Sequence, residues 1–166
     1  MDLPNGADTR LAPELRMSST AFVESLGLPE GSLTVPPQWG TFLAFDFGTK
    51  RTGVAFGTRL LASANPVGVL AAQGKAQFPL AQTYITQWQP DALVVGIPFH
   101  PDGAEHDNTA LARKFMRSLH GRFGLAVFGV DERYSTTEAL AGGAGESQVD
   151  AQSAAIILTQ FLRNLP

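Results

Sequence analysis

Residues 42–48 read Phe-Leu-Ala-Phe-Asp-Phe-Gly, an apolar run interrupted by one carboxylate, Asp46. Such a run has the composition of a strand covered on both faces. An ionised carboxylate taken out of water costs several kcal/mol or gives up its charge, so Asp46 needs a compensating group. Two compensations fit: a divalent metal ion, or a phosphate-binding loop made by the residues that follow. Those residues, Gly48-Thr49-Lys50-Arg51-Thr52-Gly53-Val54-Ala55-Phe56-Gly57, hold two glycine-bounded turns, two cations and a second apolar strand. The turn is short, which makes the strands at 41–47 and 52–57 antiparallel neighbours.

Downstream, a third strand is predicted at 60–70 and helical periodicity runs from Lys75 to Trp88, stopped by Gln89-Pro90. Asp91-Ala92-Leu93-Val94-Val95-Gly96 reads as a central parallel strand. A polar loop, 97–106, leads into a helix over 108–120 with Leu111, Phe115 and Leu119 inward and Arg113, Lys114 and Arg117 outward. Leu125 to Val130 forms a fifth strand. Ser135 and Glu138 make a capping box for a short helix, and Ala141-Gly142-Gly143-Ala144-Gly145 reads as a loop. The last helix is predicted from Asp150 to Asn164, and its stripe of Ala154, Ile157, Leu158, Phe161 and Leu165 traces back to Asp150. The alternation predicts an α/β domain: a mixed five-stranded sheet, the first three strands antiparallel and the others parallel, flanked by helices.

Upstream, residues 1–37 hold five of the eleven prolines, and five acids against two arginines. They are expected to form a mostly flexible extension with one short helix near Ser19 to Leu26, leaving 38–166 as the domain. The net charge of −3 therefore resides in the extension, and the body carries ten acids and ten bases. If several of those acids gather at a metal, the remaining surface is basic enough for nucleic acid. There is no cysteine, so a disulfide framework is excluded and zinc loses its usual ligand. Neither a leader pattern nor an apolar run near the roughly 18 residues of a membrane span is present, which predicts a cytoplasmic chain without a membrane partner.

Asp46, the pair Asp131 and Glu132, and Asp150 each fall where an apolar element begins or ends. If the first, fourth and fifth strands are parallel neighbours, these acids share the sheet edge where α/β folds place their sites. Converging carboxylates suit Mg²⁺ or Mn²⁺, and a pair of such ions about 4 Å apart can promote phosphodiester cleavage. Each acid also has a structural reading: Asp46 bonded to the 48–52 turn, Asp150 as a helix cap, Asp131 or Glu132 paired with Arg133 or Lys114. Lys50, Arg51 and Arg59 near the first hairpin, with Arg113, Lys114, Arg117 and Arg122 along the second long helix, are candidates for phosphate contacts. Tyr134 is a candidate for base stacking. His100 and His106 lack metal-pair spacing; either could assist proton transfer from the loop, and a solvated position is the expectation.

Taken together, Asp46-Phe47-Gly48-Thr49-Lys50, Val95-Gly96-Ile97-Pro98, Asp102-Gly103-Ala104-Glu105, Asp131-Glu132-Arg133-Tyr134-Ser135-Thr136 and Val149-Asp150-Ala151-Gln152-Ser153-Ala154 resemble the YqgF family, also called RuvX, over about Gly40 to Leu162. The resemblance implies an RNase H-like fold related to the Holliday-junction resolvase RuvC. It also implies a metal-dependent nuclease that matures the end of precursor 16S ribosomal RNA. It places Asp46, Glu132 and Asp150 as catalytic and metal-binding acids, Asp131 and Glu105 as additional acids, and Mg²⁺ or Mn²⁺ as cofactor. Nucleic-acid contacts are then expected from Lys50, Arg51, Arg113, Lys114, Arg117 and Arg133. The chain departs from the family pattern in its extension and in a shorter segment before Asp150, where Glu146-Ser147-Gln148 stands in place of a basic residue.

Three alternatives stay open on the sequence. A four-way DNA junction is the rival substrate, and because symmetric junction cutting requires a dimer, the expected state of monomer or weak dimer bears on it. Asp-x-Gly-Thr also resembles the first phosphate loop of the actin, Hsp70 and sugar-kinase ATPases, although those need two such domains. The third is a non-catalytic nucleotide- or RNA-binding module that keeps the fold as a scaffold for RNA polymerase or ribosome factors.

Overall fold

The first hairpin forms as its glycine-bounded turn predicts, and it lies inside a wider sheet than expected. The computed structural model describes residues 22–28, 35–132 and 146–166. In it the strands are β1 (Phe22–Leu26), β2 (Thr41–Asp46), β3 (Thr52–Thr58), β4 (Ser63–Leu70), β5 (Ala92–Ile97) and β6 (Ala126–Asp131). The helices are α1 (Gln77–Trp88), α2 (Asp107–Phe123) and α3 (Glu146–Arg163). Strand order across the sheet is β1-β6-β5-β2-β3-β4. The β2-β3-β4 meander is antiparallel, β2-β5 and β5-β6 are parallel, and β1 closes the far edge antiparallel to β6. The mixed orientation matches the expected RNase H-like arrangement, with six strands in place of five.

The sixth strand corrects the helix expected near Ser19 to Leu26. Phe22 and Leu26 are spaced as on one helical face, yet β6 would otherwise present an open row of N–H and C=O groups. Satisfying that row outweighs the weak local signal, and Leu26 packs beside the core. Two boundaries also shift. The third strand starts at Ser63 because residues 59–62 form the hairpin turn, with Ala62 at φ 51°. The last helix starts at Glu146, a turn before Asp150, so Asp150 is not its cap. Arg133, Tyr134, the helix expected from Ser135 and the loop at Ala141 to Gly145 lie outside the described residues.

The parallel strands β5 and β6 are buried along their whole length. One face of the sheet, with Leu43, Phe45, Leu93, Val95 and Val127, packs on Ala81 of α1 and on Phe115, Met116 and Leu119 of α2. The other, with Phe42, Ala44, Val94, Phe128 and Val130, packs on Ile157, Leu158 and Phe161 of α3. Asp91 pins the parallel pair: Oδ2 accepts from Gly40 N at 2.7 Å and Thr41 N at 3.1 Å, and Asp91 N donates to Thr41 O at 2.8 Å. β2 and β5 thus start in register, which fixes their carboxyl ends on one edge.

Candidate active site

Alternation along β2 sends Phe42, Ala44 and Asp46 to the α3 face and Leu43 and Phe45 to the other. The same parity on β6 puts Phe128, Val130 and the next residue but one, Glu132, on the α3 face, while Asp131 goes with Val127 to the opposite side. Glu132 therefore meets Asp46, and Asp131, 4% exposed at the end of β6, does not share that face. The two strand neighbours of Asp46 in register are both glycines, Gly53 on β3 and Gly96 on β5. A Cβ at Gly53 would stand 1.8 Å from Asp150 O, so the α3 backbone lies directly on the sheet there. A Cβ at Gly96 would meet Ile157 Cδ1 at 2.5 Å and Glu132 Oε2 at 3.0 Å. In the sequence these glycines read as turn and strand punctuation; their role in the fold is to let Glu132 and α3 close in on Asp46.

The electrostatics follow from this closeness. Burial, then the charge of Glu132 and a hydrogen bond with it, then the charge of Asp150, push the Asp46 carboxyl well above the usual carboxylate range. Burial also raises Glu132; its hydrogen bond with Asp46 opposes that rise, Asp131 adds to it, and His106 opposes it. Two carboxyls with one hydrogen bond between them at a desolvated edge resist carrying two negative charges together, and a cation there would relieve them. His106, in the loop that leads into α2, is half-exposed and serves as the helix cap. Its Nδ1 accepts from Asn108 N at 3.0 Å, capping α2, and its ring lies 4.6 Å from that of His100.

The 48–52 turn does not use Asp46. Thr52 Oγ1 accepts from Gly48 N at 3.2 Å and donates to Gln77 Oε1 at 2.7 Å, and Gln77 Nε2 donates to Gly48 O and Ala72 O, both at 2.9 Å. The turn's polar groups are satisfied by a buried glutamine 29 residues downstream, which removes the structural reading of Asp46 as a turn acceptor. Gln77→Leu keeps the volume but strips Gly48 and Ala72 of a donor. Its expected cost is about 1–3 kcal/mol, measured as a lower urea midpoint at unchanged slope.

Several candidate residues are engaged otherwise than expected. Arg51 Nε binds Asp150 Oδ2 at 2.8 Å, so this cation faces a site acid. Among the described residues no three acids or histidines are gathered tightly enough to hold one ion, and Asp150 pairs with Arg51. The donor chemistry still fits a hard cation: Asp46 and Glu132 are adjacent, half-buried, oxygen-bearing and electrostatically in need of positive charge. Arg113 binds Glu24 of β1 and Glu105, each at 2.7 Å, and these carboxylates raise its pKa further. Glu105, 60% exposed at its side chain, is thereby held at Arg113. Arg59 sits at the opposite end of β3 from Arg51, and its Nη1 donates to the carbonyls of Pro36, Pro37 and Trp39. Lys50, Lys114 and Arg117 are exposed. Arg113→Gln is accordingly expected to leave the salt dependence of nucleic-acid affinity nearly unchanged, whereas Lys114→Gln lowers the slope by about one.

A mixed sheet with carboxyls converging on one edge beneath a helix defines a class, the RNase H-like nucleases, hydrolases of phosphodiester bonds. The chain belongs to the RuvX family: the family model described as "RuvX: Holliday junction resolvase" matches residues 40–164. Among curated relatives, a "Putative pre-16S rRNA nuclease" of Polaromonas sp. is 64% identical over 126 residues, covering 76% of this chain and 90% of that protein. One of the same name from Albidiferax ferrireducens is 57% identical over 136 residues, covering 82% and 86%. A solved structure of T. thermophilus RuvC in complex with a Holliday junction substrate aligns at TM-score 0.48 and 14% identity, covering 75% of this chain and 95% of that one. No helix among the described residues is long and apolar enough to cross a membrane.

Proposed function

We propose that this chain is a divalent-metal-dependent endonuclease acting in the cytoplasm on structured RNA, with the end of precursor 16S ribosomal RNA as its substrate. The observation that carries the reading is the Asp46–Glu132 pair, two half-buried, hydrogen-bonded carboxyls on one sheet edge that repel each other unless a proton or a cation lies between them. Asp46 and Glu132 would hold the ion, and Asp150 would join them on leaving Arg51. Bound Mg²⁺ or Mn²⁺ would supply Lewis acidity and an acidified water. Arg51, once released, is a cation beside the site acids for the phosphate under attack. The relatives' names support RNA as substrate, and the description of the family model supports a four-way junction as the second reading.

The test offers the protein, with Mn²⁺ or Mg²⁺, precursor ribosomal RNA spanning the 16S end, a four-way DNA junction and an uninterrupted duplex. Cleavage confined to the RNA is expected. Faster cutting of the junction would replace the RNA assignment, and saturable ATP binding without cleavage would return the fold to a nucleotide-binding module.

A further inference from the structure

On the face of the sheet opposite the acids, a pocket of about 230 Å³ opens between α1 and α2. Phe47, which follows Asp46 directly, forms its wall with Phe78 and Phe115, and the Phe47 and Phe115 rings lie 4.9 Å apart. Three exposed cations, Lys75, Lys114 and Arg122, stand around it, and none of its lining residues is acidic. The Arg122 guanidinium lies over the Phe78 ring, 4.3 Å from its centroid, so a flat cation and flat rings line the same space. Resting on the nuclease reading above, we propose that this pocket takes one unpaired nucleotide of the substrate strand, the base against the aromatic wall and the flanking phosphates against the three cations.

Size, composition and position point to this occupant together. Sites that enclose a whole small ligand usually measure roughly 300–1,000 Å³. This smaller pocket suits one group whose remainder continues outside, as a base on a strand does. Aromatic faces and arginine planes stack any base, while lysines hold its backbone without reading sequence. An acidic peptide would satisfy the cations but leave the flat wall unused, and a neutral apolar partner would leave the cations desolvated. Because Asp46 and Phe47 are consecutive and face opposite sides of the sheet edge, a strand drawn over that edge passes from the acids to the pocket. A continuous duplex is too stiff to turn there, so the pocket would favour substrates with a base already unpaired beside the cleavage point.

The full chain carrying Asp46→Asn is titrated against RNA duplexes with and without a single-stranded extension, with 2-aminopurine walked through the extension. One position is expected to change its emission on binding. Ser118→Leu, which fills the pocket without altering charge, should weaken binding of the extended RNA about tenfold, within the range for loss of one stacked base. It should leave the blunt duplex unaffected. Leu111→Glu, at the exposed rim, provides a second variant if Ser118→Leu does not fold. Equal binding by the parent and a folded variant, or emission unchanged at every position, would overturn the pocket. So would AMP that saturates the protein and displaces the extended RNA at equal concentration, since the occupant would then be a free nucleotide. Cleavage by the wild type is scored separately with metal. Cleavage with no responding base rejects the pocket alone, and a responding base with no cleavage rejects the nuclease reading alone.

Discussion

Asp46→Asn is expected to abolish metal-dependent cleavage and, in the same protein, to raise the melting temperature of the metal-free chain at neutral pH. Lewis-acid stabilisation by a bound metal contributes several kcal/mol, and about 1.4 kcal/mol is tenfold in rate, so the loss should reach at least about a thousandfold. The gain in stability has a definite sign. Below the ordinary carboxylate range the folded and unfolded chains both hold the Asp46 and Glu132 protons, and the pair costs nothing. As pH rises through that range the unfolded chain releases them while the folded chain keeps them, so stability falls until the pH passes the raised folded values. An asparagine amide can donate to Glu132 where the shared proton stood, which removes one titration and flattens the profile. Thermal melts from pH 4 to 9, with and without Mg²⁺, check this. A wild-type melting temperature that does not fall with pH, or an Asp46→Asn protein that still cleaves, would remove the paired-carboxyl account.

Gly53→Ala should be the most damaging single methyl in the sheet. The added Cβ would stand 1.8 Å from Asp150 O and 2.2 Å from its carbonyl carbon, and backbone cannot rotate away as a side chain can. The α3 helix must lift, taking Asp150 from the site and opening the contact of Ala154 and Ala155 with Ala55. A cost of about 3 kcal/mol or more follows from overpacking against a fixed element. For a chain of this size that is a fall of roughly 6–12 °C in melting temperature. Gly96→Ala is the informative contrast. There the closest atom is Ile157 Cδ1, the far end of a flexible side chain, so about 1–2 kcal/mol is expected. Its effect should appear mainly in activity, because Glu132 must also give way. Equal melting temperatures for the two variants would show that α3 is not seated on Gly53.

The strand that carries Asp46 was legible because a carboxylate inside an apolar run is a local anomaly, and the stripe of α3 led to Asp150 because helical faces repeat. The choice between Asp131 and Glu132 was not legible from hydrophobicity. β6 is buried on both faces, so alternation leaves no trace there, and the Asp-Glu-Arg motif of the family resemblance marked Glu132 instead. The stripe of α3 located its buried face but not its start, since Glu146 to Val149 belong to no apolar pattern. Pairings over long sequence distances were out of reach: Arg113 meets Glu24 from 89 residues away, and read alone it looked like a phosphate contact. Gly53 and Gly96 were visible as letters, but what a glycine admits depends on the element packed upon it.

The Glu24–Arg113–Glu105 bracket and the pairing of β1 with β6 bear on how the number of subunits should be measured. A protein shortened to begin near residue 38 would lose β1 and expose the full length of β6 as a template for another strand. Two such molecules would align edge to edge and sediment as a dimer of the preparation's own making. Since symmetric junction cutting calls for a dimer, that artefact would be read as support for a junction substrate. Hydrodynamic evidence on this chain therefore has weight only when residues 22–28 are present.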